Sequence, residues 1–335
     1  MLLDSLGIFP KNVNEERLAE LNADTYFMFL LGSITQILVT LFALRAGATV
    51  QPPPKFVGPR YHRPAVSEKK LQAMAPSFCI KRLSELPGKF SKKALAAACQ
   101  KVIVSDDCQS EKGSPIFYFE RDGYDKHAER ILAISLIHGD EHPAGSVGRN
   151  WMIRLNRINP RNTWRVIPLV NPDGAAAWTR YNAHGVDLNR NFPSSDWNLL
   201  AHKYWHTFEK NNKRRYPGPT ADSERETQCI VKQIAAFKPD FIISVHTPYG
   251  VLDLDGPKKL PRPNFYRLPW YNIGTFPGSL GRYMWVDHHI PVLTIELHFN
   301  GLQQPWEFNR LQDLTGTLAI RAREILKREQ QIAKQ

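Results

Sequence analysis

Residues 131–141 read ILAISLIHGDE, and this stretch decides how the rest of the chain is interpreted. Its first seven residues are apolar except for Ser135, and such a run is typical of a strand covered on both faces of a sheet. Apolar residues at helical spacing follow in residues 144–158. A buried strand followed by a helix is the repeating unit of α/β proteins that have a largely parallel sheet.

Further apolar runs continue the same alternation. Residues 164–170, 241–245 and 291–297 read WRVIPLV, FIISV and PVLTIEL, and helical patterns separate or follow them. Strands that alternate with helices favour parallel pairing within one sheet. The sequence therefore predicts an α/β fold: a single three-layer domain with a mostly parallel, mixed central sheet flanked by helices.

The remaining elements are predicted from local signals. Ser223 and Glu226 have the spacing of a capping box, which predicts that a helix begins there. A last helix is predicted over residues 307–327 from its apolar face. Residues 251–289 are rich in Pro, Gly and aromatic residues. They predict a long irregular loop, and so long a loop in a compact domain is usually functional.

The amino-terminal part of the chain differs in composition from the rest. Residues 1–24 form a polar tail, and residues 25–45 form a hydrophobic segment long enough to cross a bilayer as a helix. Residues 46–110 are interpreted as a Pro-rich linker and extension, and residues 111–335 as the domain that carries the candidate site. The hydrophobic segment is either a cleaved signal or a membrane anchor. Basic residues such as Arg45 after it would hold an anchored domain on the cytoplasmic side.

The net charge of the chain bears on the kind of partner it could bind. The 335 residues contain 44 Lys+Arg and 32 Asp+Glu, a formal net charge of +12. This charge fits either an anionic partner or a plain solvated surface. No nucleic-acid recognition motif accompanies it, so we expect no nucleic-acid partner.

None of the four cysteines forms a CxxC pair; Cys99 and Cys108 are near enough in sequence to form a disulfide, or they remain thiols.

Four side chains suited to catalysis follow or end the predicted strands. His138 and Glu141 follow the first strand, His246 follows the third, and Glu296 lies near the end of the fourth. The carboxyl ends of parallel strands share one edge of a sheet, so we expect these residues to meet there. Two His and one Glu suit a catalytic zinc ion with an open position. Glu296 is then available as a general base.

A second pattern competes for the same residues. Residues 138–142 also fit H-x-x-E-H, in which two histidines on one helical face bind zinc and the glutamate is the base. Gly139 and Pro143 both disfavour a helix across this stretch, which also emerges directly from a strand. The helical arrangement is therefore the less favoured hypothesis.

Five sequence blocks, taken in order, resemble those of a known family. They are HGDE, NPDG, GVDLNRNF, SVH and TIEL, within residues 130–310. This chain resembles the zinc carboxypeptidases that are similar to carboxypeptidase A. The resemblance implies one bound Zn²⁺ ion with His138, Glu141 and His246 as ligands. It implies that Glu296 is the general base.

The resemblance also implies how a peptide substrate would be held. Asn189 and Arg190 match the pair that binds the substrate's terminal carboxylate, and a guanidinium with an amide suits a planar carboxylate. Arg180 resembles the arginine that stabilises the oxyanion. The family's mobile-loop tyrosine has no clean match. The candidates are Tyr249, Tyr266, Tyr271 and Tyr283.

The substrate class and its alternatives follow from the same resemblance. The short interval from His246 to Glu296 resembles the compact bacterial branch that includes murein tripeptide amidases. It implies a short peptide or murein peptide as substrate. The hydrophobic segment at residues 25–45 separately predicts a membrane-anchored or periplasmic protein, with an anchor that faces the cytoplasm as the alternative. The competing hypothesis is a deacylase similar to aspartoacylase and succinylglutamate desuccinylase, whose members carry an extra domain after the glutamate. A third is a non-catalytic, membrane-tethered binding module on the same fold.

Overall fold

A six-stranded mixed sheet forms the centre of the molecule. The computed structural model describes residues 66–105, 108–265 and 268–332. The strands are β1 (Phe119–Arg121), β2 (Arg130–Ser135), β3 (Thr163–Ile167), β4 (Phe241–His246), β5 (Tyr249–Asp255) and β6 (Val292–His298). Their order across the sheet is β1-β3-β2-β4-β6-β5.

Helices cover the sheet and connect its strands. They are α1 (Glu68–Ser84), α2 (Lys92–Cys99), α3 (His142–Leu155), α4 (Pro172–Ala177), α5 (Trp197–Thr207), α6 (Arg225–Phe237) and α7 (Pro305–Ile332). Short 3₁₀ turns lie at Leu188–Arg190 and Lys213–Arg215, and a π-helical segment lies at Arg282–Asp287. The predicted α/β architecture is confirmed.

The four predicted strands are the parallel centre of the sheet. Strand β2 pairs in parallel with both β3 and β4, and β4 pairs in parallel with β6. Every residue of β3 and β4 is buried, which explains why their sequences are continuous apolar runs. The two strands that were not predicted, β1 and β5, are antiparallel and lie at the edges.

The prediction of an irregular segment over residues 251–289 is wrong at both of its ends. Strand β5 occupies the first part and pairs with β6 from Tyr249 to Asp255. The π-helical segment Arg282–Asp287 occupies the last part. The described residues between them form turns and isolated bridges, and several of these residues line the cavity described below.

The predicted capping box at the start of α6 is also wrong. The helix begins at Arg225 with Glu224 as the N-cap residue, and no side chain caps it. The Ser223 hydroxyl instead donates to the Glu224 carboxylate. The Glu226 carboxylate accepts from the backbone N–H of Glu111 and from the Asn182 amide. Ser223 and Glu226 therefore do not form the reciprocal bonds of a capping box.

Helices α1 and α2 belong to the predicted extension over residues 46–110, and both are packed against the domain. Leu71, Leu83 and Leu95 are fully buried members of the main core. The boundary placed at residue 111 stays a prediction. The segments at residues 1–24 and 25–45 lie outside the described residues, among which no helix is long and apolar enough to span a membrane.

The cysteine pairing differs from the expectation. Cys99 on α2 forms a disulfide with Cys79 on α1, rather than with Cys108. Cys108 forms one with Cys229 on α6. All four side chains are buried, and no cysteine remains free. The two bonds tie α2 to α1 and the segment before β1 to α6.

Candidate active site

The sheet brings three of the predicted residues to one edge. His246 ends β4 and is the register partner of Glu296 on the adjacent parallel strand β6. His138 lies three residues after the end of β2, which pairs with β4 on its other side. Glu141 follows in the turn that leads into α3. The expectation that parallel strand ends would collect these side chains describes the geometry seen here.

The donor atoms of His138, Glu141 and His246 converge on one point. The Nδ1 atom of His138 lies 2.8 Å from Glu141 Oε1, and the Nδ1 atom of His246 lies 3.0 Å from Glu141 Oε2. The two Nδ1 atoms are 3.2 Å apart. All three side chains are buried. We call these three residues the sheet-edge cluster.

The outer nitrogens of both histidines have other partners. Asp187 Oδ1 lies 3.1 Å from His138 Nε2, and Ser244 Oγ lies 2.8 Å from His246 Nε2. An ionised carboxylate can only accept, so Asp187 fixes the proton of a neutral His138 on Nε2 and leaves a lone pair on Nδ1. Two ring nitrogens and a carboxylate thus face one point, and two His with one Glu is a common ligand set of catalytic zinc. The donor set therefore fits a zinc ion.

Asp187 contacts the sheet-edge cluster, and no role had been assigned to it from the sequence. It lies inside the GVDLNRNF block, and it also accepts from Arg180 Nε at 2.9 Å. Burial opposes its ionisation, but Arg180 and His138 hold the pKa of Asp187 well below its usual range. The signal available in the sequence was its position, two residues before the predicted Asn189 in the same block.

The helical H-x-x-E-H hypothesis is wrong. His138 and Glu141 precede α3, which begins only at His142. The ring of His142 packs against Trp178 in a tilted arrangement, with ring centroids 3.6 Å apart, and its Nε2 atom contacts the Ala175 carbonyl. His142 therefore packs away from the cluster.

Glu296 lies beside the cluster without joining it. Its nearest described hydrogen-bond partner is the backbone N–H of Tyr249, which lies 3.5 Å from Oε2. Burial raises the pKa of Glu296, and the negative charge of Glu141 adds to this rise while His246 opposes it. A carboxylate with a raised pKa is a better proton acceptor near neutral pH.

The cluster opens into a large cavity. The cavity volume is about 810 Å³, within the range of small-molecule and peptide sites. Its walls include Arg180, Asn189 and Arg190, so the cavity holds every residue that the sequence analysis placed in the site. Segment 212–215 and the outward face of β5 also line the cavity. Only segment 212–215 had not been predicted to take part, because β5 begins with the candidate Tyr249 and runs into the segment expected to be functional.

The cavity arginines differ in their partners. Arg180 pairs with Asp187, Arg214 with Asp140, and Arg215 with Glu209. Within the described residues, Arg190 pairs with no acid.

Arg190 is instead held by neutral groups. Its guanidinium lies 4.3 Å from the ring centroid of Phe276, and one of its N–H groups donates to the Asn189 carbonyl. Its buried Nε has no hydrogen-bond partner. The Asn189 Oδ1 atom accepts from Leu280 N, which leaves the Asn189 Nδ2 to donate. These two side chains keep unused donors.

Two of the tyrosine candidates line the cavity. Tyr249 and Tyr271 are 64% and 66% exposed. Tyr283 is half-buried and stacks on Phe192 outside the cavity wall. Tyr266 lies outside the described residues.

Comparison with known proteins identifies the class. Residues 152–252 match the zinc carboxypeptidase family. This match contains His246, while His138, Glu141 and Glu296 lie outside it. The fold resembles that of carboxypeptidase A from Helicoverpa armigera, with 18% identity, a TM-score of 0.51 and coverage of 75% of this chain and 79% of that one. That likeness supports the fold alone.

Two relatives are similar in sequence over a longer part of the chain. It is 30% identical over 198 residues to murein peptide amidase A of Vibrio campbellii, covering 56% of this chain and 77% of the relative. It is 32% identical over 143 residues to murein peptide amidase A of Escherichia coli strain K12. In that pair the match spans 42% of this chain and 57% of the relative. The chain belongs to the zinc carboxypeptidase family.

Proposed function

We propose that this chain is a zinc-dependent hydrolase that cleaves a peptide or amide bond next to a free carboxylate. The observation that supports the proposal most strongly is the convergence of three buried donor side chains, with Glu296 beside them, in the cavity that also holds Arg190. The names of the two relatives extend the proposal to a murein peptide as the substrate. No comparison favours the deacylase or the non-catalytic module.

His138, Glu141 and His246 would hold one zinc ion. When bound, the ion polarises the scissile carbonyl and lowers the pKa of a coordinated water. Other residues of the chain hold the two histidine rings in place. Asp187 orients the ring of His138, and Ser244 contacts that of His246. Such outer partners keep the inner nitrogens directed at the metal position.

Glu296 would move the proton. Its carboxylate accepts the proton from the attacking water as the new C–O bond forms. It then delivers that proton to the leaving nitrogen as the C–N bond breaks, so the base is regenerated. The Arg180 guanidinium lies 3.6 Å from Glu141 Oε1 at the cavity wall, and there it would stabilise the negative charge that develops on the carbonyl oxygen.

Arg190 and Asn189 would bind the terminal carboxylate of the substrate. Both side chains have unused hydrogen-bond donors. A buried guanidinium without an acidic partner attracts a carboxylate strongly, because both groups exchange poor solvation for a charge-assisted hydrogen bond. The stacking on Phe276 fixes the guanidinium plane and so presents its donors in one direction.

Replacing the proposed base tests this function. In Glu296→Gln we expect zinc content to stay unchanged and turnover of a muropeptide digest to fall roughly 10²–10⁴-fold, the usual contribution of a general base. Zinc is measured by mass spectrometry, and amino acids released from the digest by chromatography. Glu329→Gln, an exposed glutamate on α7, is the matched control.

Three outcomes separate the alternatives. Full activity in Glu296→Gln would exclude Glu296 as the base. Wild-type cleavage of acyl-amino acids in preference to muropeptides would support the deacylase hypothesis. A zinc-loaded wild type that cleaves neither would support the binding module.

A further inference from the structure

One short turn of the chain carries three residues of the candidate site. They are Asp187, Asn189 and Arg190, and we call residues 187–190 the site turn. Asp187 Oδ1 lies 3.1 Å from His138 Nε2, and it also accepts from the backbone N–H of Asn189. The position of this turn therefore affects both the ring of His138 and the proposed carboxylate-binding pair.

A buried asparagine fixes the chain on the amino-terminal side of the site turn. The Asn182 Oδ1 atom accepts from the backbone N–H groups of His184 and Val186, at 3.0 Å and 3.1 Å. Its Nδ2 atom donates to the carboxylates of Glu224 and Glu226, at 2.8 Å and 3.1 Å. An amide side chain offers two donor hydrogens and two acceptor lone pairs, so Asn182 uses its full hydrogen-bonding capacity. The bond to Val186 holds the residue directly before the site turn.

A second buried asparagine fixes the carboxyl-terminal side of the site turn. Asn191 directly follows the turn, and its Nδ2 atom lies 2.8, 2.9 and 3.0 Å from Pro217 O, Thr220 O and Ser223 Oγ. Its Oδ1 atom accepts from the backbone N–H of Glu224. Both asparagines are buried, and neither lines the cavity. They are therefore placed to hold the turn from behind rather than to contact a substrate.

Both asparagines bond to the same part of the molecule, which is the start of α6 and the residues before it. This part is itself held by the segment before β1. Glu111 N donates to Glu226, and the Glu111 carboxylate accepts from Arg225 N. Cys229, one turn into the helix, forms the disulfide with Cys108. The start of α6 is therefore a fixed support, and the site turn is bonded to it on both sides.

We propose that Asn182 and Asn191 are positioning residues for the reaction, which act through the site turn on His138. This inference rests on the proposed function. By holding the turn against α6, the two amides keep the Asp187 carboxylate where it directs the ring of His138 toward the metal position. Loss of a buried amide leaves its partners without hydrogen bonds, so the chain around it rearranges. A shift of the turn by about 1 Å is enough to break the contact between Asp187 and His138.

Zinc affinity tests this role without turnover. In Asn182→Ala and Asn191→Ala we expect zinc affinity, measured by competition with a chelator, to fall about 3–10-fold. This loss is smaller than the one expected for Asp187, because the asparagines act one step further from the ring. Zinc affinity equal to that of the wild type in both variants would overturn the positioning role.

A third buried asparagine provides the matched control. Asn162 precedes β3, and its amide donates to the Gly316 carbonyl on α7. Asn162→Ala therefore removes a buried amide of the same kind at a place that does not contact the site turn. We expect this variant to lose stability and to keep the zinc affinity of the wild type. An equal loss of zinc affinity in Asn162→Ala would show that general destabilisation explains the effect, and it would overturn the role.

A double-mutant cycle tests whether the asparagines act through Asp187. The effect of Asn182→Ala on zinc affinity should be largely absent in an Asp187→Ala background, because the carboxylate that is positioned has been removed. Equal losses in the two backgrounds would overturn the role. Asn182→Ser should have an intermediate effect, since its hydroxyl can still accept a backbone N–H, and it replaces the alanine variant if that variant does not fold.

Hydrogen exchange gives a measurement that needs neither zinc nor catalysis. The backbone N–H groups of Asp187 and Arg190 donate to Tyr216 O and Asp187 O. Peptides that cover residues 183–192 should exchange faster in the Asn182 and Asn191 variants than in the wild type or in Asn162→Ala. Unchanged exchange would overturn the inference. A wild type that binds no zinc or cleaves no muropeptide would refute the proposed function, whereas faster exchange in these variants would still support the positioning of the turn.

Discussion

Two clusters in this molecule have similar composition and very different surroundings. The sheet-edge cluster is His138, Glu141 and His246. The second, which we call the loop cluster, is Glu111, His184 and Glu224. Each brings three potential metal-binding atoms within 4.8 Å of one another.

The difference lies in the other partners of those atoms. In the sheet-edge cluster, Asp187 and Ser244 contact the outer nitrogens, so the inner ones face only Glu141 and each other. In the loop cluster both ring nitrogens of His184 face acids. Nδ1 lies 2.8 Å from Glu224, and Nε2 lies 3.6 Å from Glu111.

The acids of the loop cluster also accept hydrogen bonds from other groups. Glu224 accepts from Ser223 and Asn182, and Glu111 accepts from Arg225 N. The hydrogen bond to Glu224 and the nearby acids raise the pKa of His184 to about 9. His184 is therefore protonated at neutral pH, and its positive charge balances the negative charge of these acids. Proximity of donor atoms therefore does not define a metal site; the partners of each atom decide whether a lone pair is available.

The loop cluster has a structural use instead. Asn182 donates to both Glu224 and Glu226, and it accepts from the backbone N–H groups of His184 and Val186. The chain between residues 182 and 186 is thereby fixed to the start of α6. Asp187 follows directly, so the loop cluster helps to position the residue that orients His138.

The largest expected difference between the clusters is in metal content. His246→Ala removes a ligand from the sheet-edge cluster, and we expect bound zinc to fall from about one ion per chain to below about a tenth. His184→Ala should retain the wild-type zinc content, because that ring is already bonded on both sides. Both are measured by mass spectrometry after dialysis. Full zinc in His246→Ala, or loss of zinc in His184→Ala with the fold intact, would reverse the assignment.

A smaller effect is expected from the partner of His138. Asp187→Asn removes the charge that fixes the His138 proton on Nε2, and we expect zinc affinity to fall about 10–100-fold. Competition with a chelator of known affinity measures this change. The exposed Asp122→Asn variant should match the wild type. An unchanged affinity in Asp187→Asn would show that the ring is oriented by packing alone.

The smallest expected effect is on stability, and it comes from Glu226, a buried acid next to the loop cluster, and from His184 within it. Burial first, and then the charge of Glu111, raises the pKa of Glu226 from 4.5 to about 8. The folded chain thus holds a proton that the unfolded chain has lost. The resulting stability is fully present below pH 4.5 and is lost as the pH rises through about 8. The contribution of His184 has the same sign and is lost through about pH 9.

Urea unfolding between pH 5 and 9 measures this loss. The free energy of unfolding should fall by at most about 1.4 kcal/mol per pH unit for Glu226. Glu226→Gln removes this titration and should flatten the fall below pH 8. Glu329→Gln should retain it. A wild type that becomes more stable across this range would contradict the protonated state of Glu226.

The parallel centre of the fold could be predicted because strands that are buried on both faces are nearly continuous apolar runs in the sequence. Strands β2, β3, β4 and β6 are such runs. Their shared edge then placed His138, His246 and Glu296 correctly relative to one another. Strand β5 was harder to predict, because apolar and polar residues alternate in YGVLDLD and the Pro- and Gly-rich residues after it were grouped with it as a loop.

Other features depend on tertiary contacts that local patterns do not encode. The spacing of Ser223 and Glu226 suits a cap, yet buried acids and Asn182 determine where Glu226 points. The disulfide of Cys99 is formed with Cys79, because α1 and α2 turn their buried faces toward each other. Sequence proximity to Cys108 carried no such information.

The most direct test of the central claim is the location of zinc in a crystal of the protein. Anomalous diffraction collected on both sides of the zinc absorption edge identifies the ion by element. We predict one strong peak per chain, between His138 Nδ1, His246 Nδ1 and the Glu141 carboxylate. A zinc peak at Glu111, His184 and Glu224 instead, or no peak at the sheet-edge cluster in zinc-supplemented crystals, would contradict the account.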